Sequence, residues 1–184
     1  DLMNMVLGSY SDKCNISLIT QKRKGIGGPT PEIAKLKGKR YVSMDEPSKG
    51  DELNEGIMKQ LTGGDEIEGR GMYEKKMVKF IPQFTLVCST NNPFEIKSND
   101  QGTWRRIKNV PYNAEFVDPE VMENKIASGL TNDPENPIYL KDGKLKDKMK
   151  TWVPVFTALL IEKCNENEGY VKDCDIVLAS TKAY

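Results

Sequence analysis

Lys39-Arg40-Tyr41-Val42-Ser43-Met44-Asp45-Glu46 is a short, mostly apolar run that stops abruptly in two adjacent acids. Gly38 and Pro47 punctuate it on either side, so length and boundaries predict a buried strand with two carboxylates at its tip. A carboxylate pair at the end of a strand suits Mg-nucleotide chemistry. One acid holds the metal through its water shell, and the next polarises the water that attacks the terminal phosphate. Apolar strands that run into acidic loops are also common, so the pair alone decides nothing and the text around it has to.

Upstream of that run, Thr30-Pro31-Glu32 predicts a helix start with Thr30 as N-cap, proline at the first helical position and an acid in the first turn. Gly38 ends that helix. Downstream, Leu53, Ile57 and Leu61 fall four apart on one helical face, and Gly63-Gly64 stops the pattern. Residues 66 to 83 read as a hairpin, with arms Ile67 to Tyr73 and Met77 to Ile81 around the charged tip Glu74-Lys75-Lys76. Arg70, Lys75, Lys76 and Lys79, interleaved with Tyr73 and Phe80, suit a contact to a nucleic-acid backbone. An ordinary surface hairpin fits the same residues.

Phe84-Thr85-Leu86-Val87-Cys88 predicts a second core strand, ending in Ser89-Thr90-Asn91-Asn92-Pro93. An amide at such a tip orients an attacking water or touches a terminal phosphate. A plain turn is equally apt for Asn-Asn-Pro. Asp100 to Ile107 reads as a loop carrying Arg105 and Arg106 beside Trp104. Arginine offers a permanent charge and a rigid donor fork for a transferring phosphoryl group, although stacking on the indole is the simpler use of such a pair.

Toward the start, Leu2, Met5 and Val6 have helical spacing and meet Gly8, while Ile16 to Thr20 is a short apolar run expected to be a strand. The basic, glycine-rich stretch from Gln21 through Lys22, Arg23 and Lys24 to Gly28 is either a solvated linker or a phosphate or DNA contact. A second section begins at Val110-Pro111-Tyr112. Thr131 to Pro137 reads as a loop, and Trp152, Phe156, Leu159 and Leu160 mark a helix expected to pack into a core, with Pro154 at its start or at a kink.

Composition narrows the classes. Lys plus Arg equals Asp plus Glu at 27 each in 184 residues, so a nucleic-acid contact must come from a local patch rather than from net charge. The four cysteines have no Cys-x-x-Cys spacing and there is no histidine, which all but removes the usual zinc sites. No apolar run is long enough to span a membrane, and the start lacks a basic-then-apolar signal; a soluble intracellular protein with reduced thiols is the expectation.

In their order and spacing these motifs resemble the superfamily 3 helicases, specifically the poxvirus-type primase-helicase branch of large DNA viruses and some phages. The resembling text is Gly38 to Val42 into Asp45-Glu46, Leu61 to Asp65 into Gly69-Arg70 and Met72-Tyr73, Pro82 to Val87 into Ser89 to Asn92, and Gly102 to Ile107 into Val110-Pro111-Tyr112. It covers residues 38 to 112 well, and the helix around Trp152 to Leu160 and the closing Ala179 to Tyr184 less specifically. The resemblance implies an α/β fold: an AAA+-like P-loop NTPase core over residues 1–112, a parallel sheet flanked by helices, and a mainly helical section over 113–184. It implies ATP and Mg2+ as cofactors, with Asp45 holding the metal through water and Glu46 activating the attacking water. Asn91 is then the sensor amide, with Asn92 as the other register. Lys75, Lys76 and Lys79, with Arg70, become grips on single-stranded DNA in a ring channel. Arg105 or Arg106 is the finger that reaches a neighbouring subunit's nucleotide. The implied assembly is a homo-oligomer, a hexamer, working in host cytoplasm or a viral replication factory, with no membrane and with a primase domain upstream.

One departure stands out. No Gly-x-x-x-x-Gly-Lys-Ser/Thr occurs in the 184 residues, although that loop supplies the backbone donors and lysine that cradle phosphates. In the resembled branch it lies just before a helix followed by text similar to Leu7-Gly8-Ser9-Tyr10. The expectation is therefore that the chain starts shortly after the loop. Its rival is a non-catalytic DNA-binding or ring-scaffolding module with the same fold.

Overall fold

The computed structural model describes residues 1–21, 29–91, 93–97, 99–129 and 133–184. The basic stretch 22–28 and Asn92 therefore lie outside the described residues. The chain divides into two compact units, Met3–Ile107 with Asp1, and Lys108–Tyr184 with Leu2.

The first unit is α/β. In order it contains α1 (Leu2–Leu7), β1 (Ser11–Cys14), α2 (Ser17–Thr20), α3 (Pro31–Ala34), β2 (Tyr41–Met44), α4 (Glu55–Thr62), β3 (Ile67–Gly69), β4 (Val78–Phe80), β5 (Thr85–Cys88) and α5 (Gln101–Trp104). β1, β2 and β5 form a parallel sheet in that order, with Tyr41 opposite Ser11 on one side and Thr85 on the other. The central strand is where the sequence predicts it, but it is buried at alternate residues rather than throughout. Val42 and Met44 are buried, and Tyr41 and Ser43 only partly so. Asp45 and Glu46 then emerge at its carboxyl end, both exposed.

α4 forms where the four-residue spacing predicts it. The Asn54 side chain caps it by accepting from the Ile57 N–H at 3.2 Å, and Ile57, Met58 and Leu61 bury one face. They pack with Ile33, Leu36, Val42, Met44 and Ile67 in one apolar cluster. Burying a Leu or Ile contributes roughly 1.5–3 kcal/mol each, so this cluster holds the sheet to its helices.

The hairpin is also present. β3 and β4 run antiparallel, with Ile67 opposite Phe80 and Gly69 opposite Val78. Its stem is fastened to the segment ahead of α3: the Thr30 N–H donates to the Arg70 carbonyl at 2.8 Å, and the Arg70 N–H donates to Thr30 Oγ1 at 3.0 Å. Thr30 precedes the helix as expected, but its hydroxyl serves the hairpin and makes no cap bond. The close approach needs glycine, because a Cβ at Gly69 would lie 2.7 Å from the Ala34 backbone nitrogen.

Two expectations fail locally. Ile16 to Thr20 is not a strand: Ser17–Thr20 is helical, opened by Asn15, whose Oδ1 accepts from the Ser17 N–H at 2.9 Å. The strand lies just before it, in Ser11–Cys14, whose polar sequence has no alternation and owes its conformation to pairing with β2. The segment 100–107 is not wholly a loop. Asp100 accepts from the Gly102 N–H at 3.1 Å and starts the one-turn α5.

The second unit contains β6 (Glu115–Val117), α6 (Pro119–Ala127), β7 (Ile138–Leu140), α7 (Leu145–Glu166) and α8 (Asp175–Ala183). β6 and β7 pair in parallel, and Phe116 and Tyr139 bring their ring centroids to 5.6 Å. Asn109 ties the start of the unit to α8, donating from its backbone to Thr181 Oγ1 and from its side chain to Ser180 Oγ, both at 2.9 Å. α7 has the predicted period, but it begins nearly ten residues before Pro154 and carries that proline inside it. Nor does its stripe pack into a core. No α7 residue is buried, and Trp152 and Leu159 are exposed.

Candidate active site

The carboxyl ends of parallel strands are where open α/β sheets place ligands, because strand tips and the loops after them converge there. In this chain β2 ends in Asp45-Glu46 and the neighbouring β5 runs into Ser89-Thr90-Asn91. Glu46 and Asn91, far apart in sequence, meet: the Asn91 backbone N–H donates to Glu46 Oε1 at 2.9 Å. That bond fixes the carboxylate at the tip of the central strand.

Asp45 points its charge to the other neighbour. Its Oδ1 lies 2.5 Å from the Lys13 ammonium on β1, and its backbone carbonyl accepts from Cys88 Sγ at 3.5 Å. Burial, followed by the Glu46 and Asp45 carboxylates, pushes the Cys88 thiol up from its ordinary value, so Cys88 sits at the tip as a neutral group. The donor set suits Mg2+, a hard cation that takes one or two carboxylates and fills its remaining positions with water and phosphate oxygens. A cation partner already stands against Asp45, in the form of the Lys13 ammonium. Among the described residues no group of three or more Cys, Asp or Glu forms a self-contained metal cage.

The two arginines differ. Arg106 folds back so that its Nη1 donates to the Gly102 carbonyl of α5. Arg105 is exposed, and its side chain makes no hydrogen bond or ion pair among the described residues. α5 itself is held against α4: buried Thr103 donates from Oγ1 to Glu55 Oε2 at 2.8 Å, and Asp100 pairs with Lys59 at 2.6 Å.

At the hairpin, Lys75 and Lys76 are exposed at the tip together with Met72, Tyr73 and Met77. Tyr73 is 98% exposed and has φ 63°, a left-handed conformation that costs a non-glycine residue about 1 kcal/mol or more. Lys79 sits farther down the stem opposite acids, 3.8 Å from Glu68 and 4.0 Å from Glu66. Arg70 is partly buried where the stem meets Thr30. The four cationic positions thus divide into two at the tip and two in the stem.

Lys13, Glu55 and Thr103 escaped the sequence reading. Lys13 lies in a strand with no apolar pattern, and the Thr103–Glu55 bond joins residues far apart in sequence, so no local signal announces either.

No family model matches the chain. It is 37% identical over 163 residues to a protein of Acanthamoeba polyphaga mimivirus named "Putative helicase", a match that covers 88% of this chain and 16% of that protein. It is 33% identical over 190 residues to a "Putative primase" of African swine fever virus, covering 100% of this chain and 19% of the relative. A "Putative helicase" of Frog virus 3 is 33% identical over 121 residues, covering 64% of this chain and 12% of the relative. The chain thus has homologues named as helicases and primases in large DNA viruses, and it spans less than one fifth of their length. Among the described residues no helix is long and apolar enough to cross a membrane.

Proposed function

We propose that this chain is part of the ATP-hydrolysing motor of a viral DNA-replication helicase of the superfamily 3, AAA+-like kind. It works in a ring of identical subunits with single-stranded DNA in the channel. The observation that carries the reading is the meeting of Glu46 and Asn91 at the tips of adjacent parallel strands. An acid and a polar group held together at that edge are what a water-activating site requires. The viral homologues named as helicases and primases support the same reading.

Asp45 is the residue that would hold the Mg2+ of Mg-ATP through its water shell, and the metal nucleotide, when bound, would supply the phosphoryl group together with charge neutralisation at its oxygens. Glu46 takes the proton of the attacking water. The Asn91 segment keeps that carboxylate in place while its side-chain amide serves as the sensor. Arg105 is the finger toward the neighbouring subunit, because it is exposed while Arg106 is bonded back to α5 and braces the turn. Lys75 and Lys76 at the hairpin tip grip the DNA backbone. Lys79 and Arg70 contribute less, since one faces two acids and the other is half-buried in the stem.

The test is DNA-stimulated ATP hydrolysis by the full-length protein beside its Glu46→Gln and Arg105→Ala variants. Both substitutions should lower turnover by a factor on the order of 10^3 while ATP still binds. Lys75→Glu with Lys76→Glu should weaken DNA binding and lower the salt slope by roughly 0.7 per lost single-strand contact. An unchanged slope would remove the hairpin tip from the DNA. No hydrolysis by the intact protein, with DNA binding retained, would move the reading to a non-catalytic ring scaffold.

A further inference from the structure

Among the described residues of the first unit, Thr103 is the one fully buried polar side chain, at 0% exposure. Its hydroxyl donates to Glu55 Oε2 at 2.8 Å and lies 3.5 Å from Asp100 Oδ2. Asp100 pairs with Lys59 at 2.6 Å, and Lys59 returns to Glu55 at 3.6 Å. Four side chains thus close a polar ring between the first two turns of α4 and the single turn of α5.

A one-turn helix has no stability of its own, since nucleation costs more than its few hydrogen bonds return. Its position is therefore set by what it is bonded to. An apolar residue would fill the Thr103 position without a directional bond, whereas a buried hydroxyl to a carboxylate fixes one placement of one element on another. α5 leads directly into Arg105 and Arg106, and α4 begins at the end of the loop that leaves Glu46. That loop is itself pinned: Pro47 is buried, the Leu53 N–H donates to the Glu95 carbonyl at 3.1 Å, and the Asn54 N–H donates to the Ile19 carbonyl at 2.7 Å. Bonded structure therefore runs from the acid tip, through α4 and the Thr103–Glu55 contact, to the arginines.

Building on the motor reading above, we infer that the Thr103–Glu55 hydrogen bond is a latch that sets the place of Arg105 relative to its own subunit's acid tip. Thr103 is a positioning residue for the arginine offered to the next subunit. It acts on hydrolysis in trans and leaves nucleotide binding in its own site untouched.

The experiment uses the full-length protein and compares Thr103→Val, which keeps the shape and loses the donor, with Thr103→Ser, which keeps the donor. Glu55→Gln, a weaker acceptor on the more accessible side of the bond, carries the same test if Thr103→Val does not fold. Loss of a hydrogen bond to a charged group should lower kcat about tenfold for Thr103→Val with KM for ATP little changed. Thr103→Ser should restore it, and Glu55→Gln should show a smaller loss in the same direction. The decisive arm is subunit mixing. Glu46→Gln subunits bring well-placed arginines to Thr103→Val subunits with intact acids, so mixed rings should regain turnover. Mixing Thr103→Val with Arg105→Ala should regain none. Wild-type kcat in Thr103→Val, or no recovery on mixing with Glu46→Gln, overturns the latch. In either case, loss of turnover in Arg105→Ala leaves the motor reading standing. If Arg105→Ala and Arg106→Ala both turn over like wild type, the finger assignment and the latch fail together, whereas the motor reading fails only if the intact protein does not hydrolyse ATP.

Discussion

The two units of the chain satisfy their apolar side chains in different ways. In the first, Leu36, Val42, Leu61 and Ile67 are essentially removed from solvent and hold the parallel sheet against α3 and α4. In the second, Val117 is the one buried residue among those described, and α6, α7 and α8 contain none. Helical spacing is equally clear in α4 and α7. The contrast teaches that periodicity reports a helix and its face, while what covers the face is a separate matter.

The largest effects that test this contrast lie inside the first unit. Leu36→Ala and Leu61→Ala should each cost about 2–5 kcal/mol, read as a lower denaturant midpoint, because each opens a cavity in a closed cluster. Gly69→Ala should cost about 1–3 kcal/mol by forcing the hairpin stem off α3, since its new Cβ would meet the Ala34 backbone nitrogen at 2.7 Å. A neutral result there would mean that the stem is not docked as described.

Cysteines sharpen the comparison, since each unit holds two. Cys14 is buried, and desolvation, with small additions from Glu32 and Asp12 against the opposing Lys35, pushes its thiol up to about 11. A folded pKa above the ordinary 9.0 keeps the thiol neutral. The stability this provides is complete below pH 9 and is lost as pH rises toward 11, because only the unfolded chain ionises first. The unfolding midpoint should therefore fall above pH 9, and fall less in Cys14→Ala. At pH 8, exposed Cys164 and Cys174 should react with a thiol reagent well before Cys14 and half-buried Cys88. Uniform labelling would erase the distinction between the units. The smallest effect is expected from Leu159→Ala in α7, within roughly 0.5 kcal/mol, as for other exposed positions. A core-sized loss there would show that the face is covered in solution.

How far the sequence could be read follows from the range of each signal. β2, α4 and the hairpin were legible because Gly38, Pro47 and Gly63-Gly64 punctuate the chain around them and apolar residues recur between those stops, whereas the Asn54 cap of α4 came to light only in the structure. β1 was not, because Ser11-Asp12-Lys13-Cys14 carries no alternation and becomes a strand through its neighbour. The α5 start was present as Asp100, but a single turn is too short for periodicity to register. Asp45, Glu46, Asn91 and the arginines were nameable from motif order. The bonds that organise them, Lys13 to Asp45, Asn91 to Glu46 and Thr103 to Glu55, join distant residues and leave no local trace.

The sheet's connectivity also fixes when the site can exist. Every pairing of β2 is long in sequence, reaching back to β1 and forward past α4 and the whole hairpin to β5. Such pairings are slow to form, because a long loop must close before any contact repays it. The helix α4 and the β3–β4 hairpin are local and are expected to be in place first. During synthesis the acid tip is made before β5 and has no Asn91 to meet until β5 has left the ribosome and docked. Pulse-labelled amide exchange should accordingly protect α4 before Thr85–Cys88, so that the site matures last in the unit that carries it.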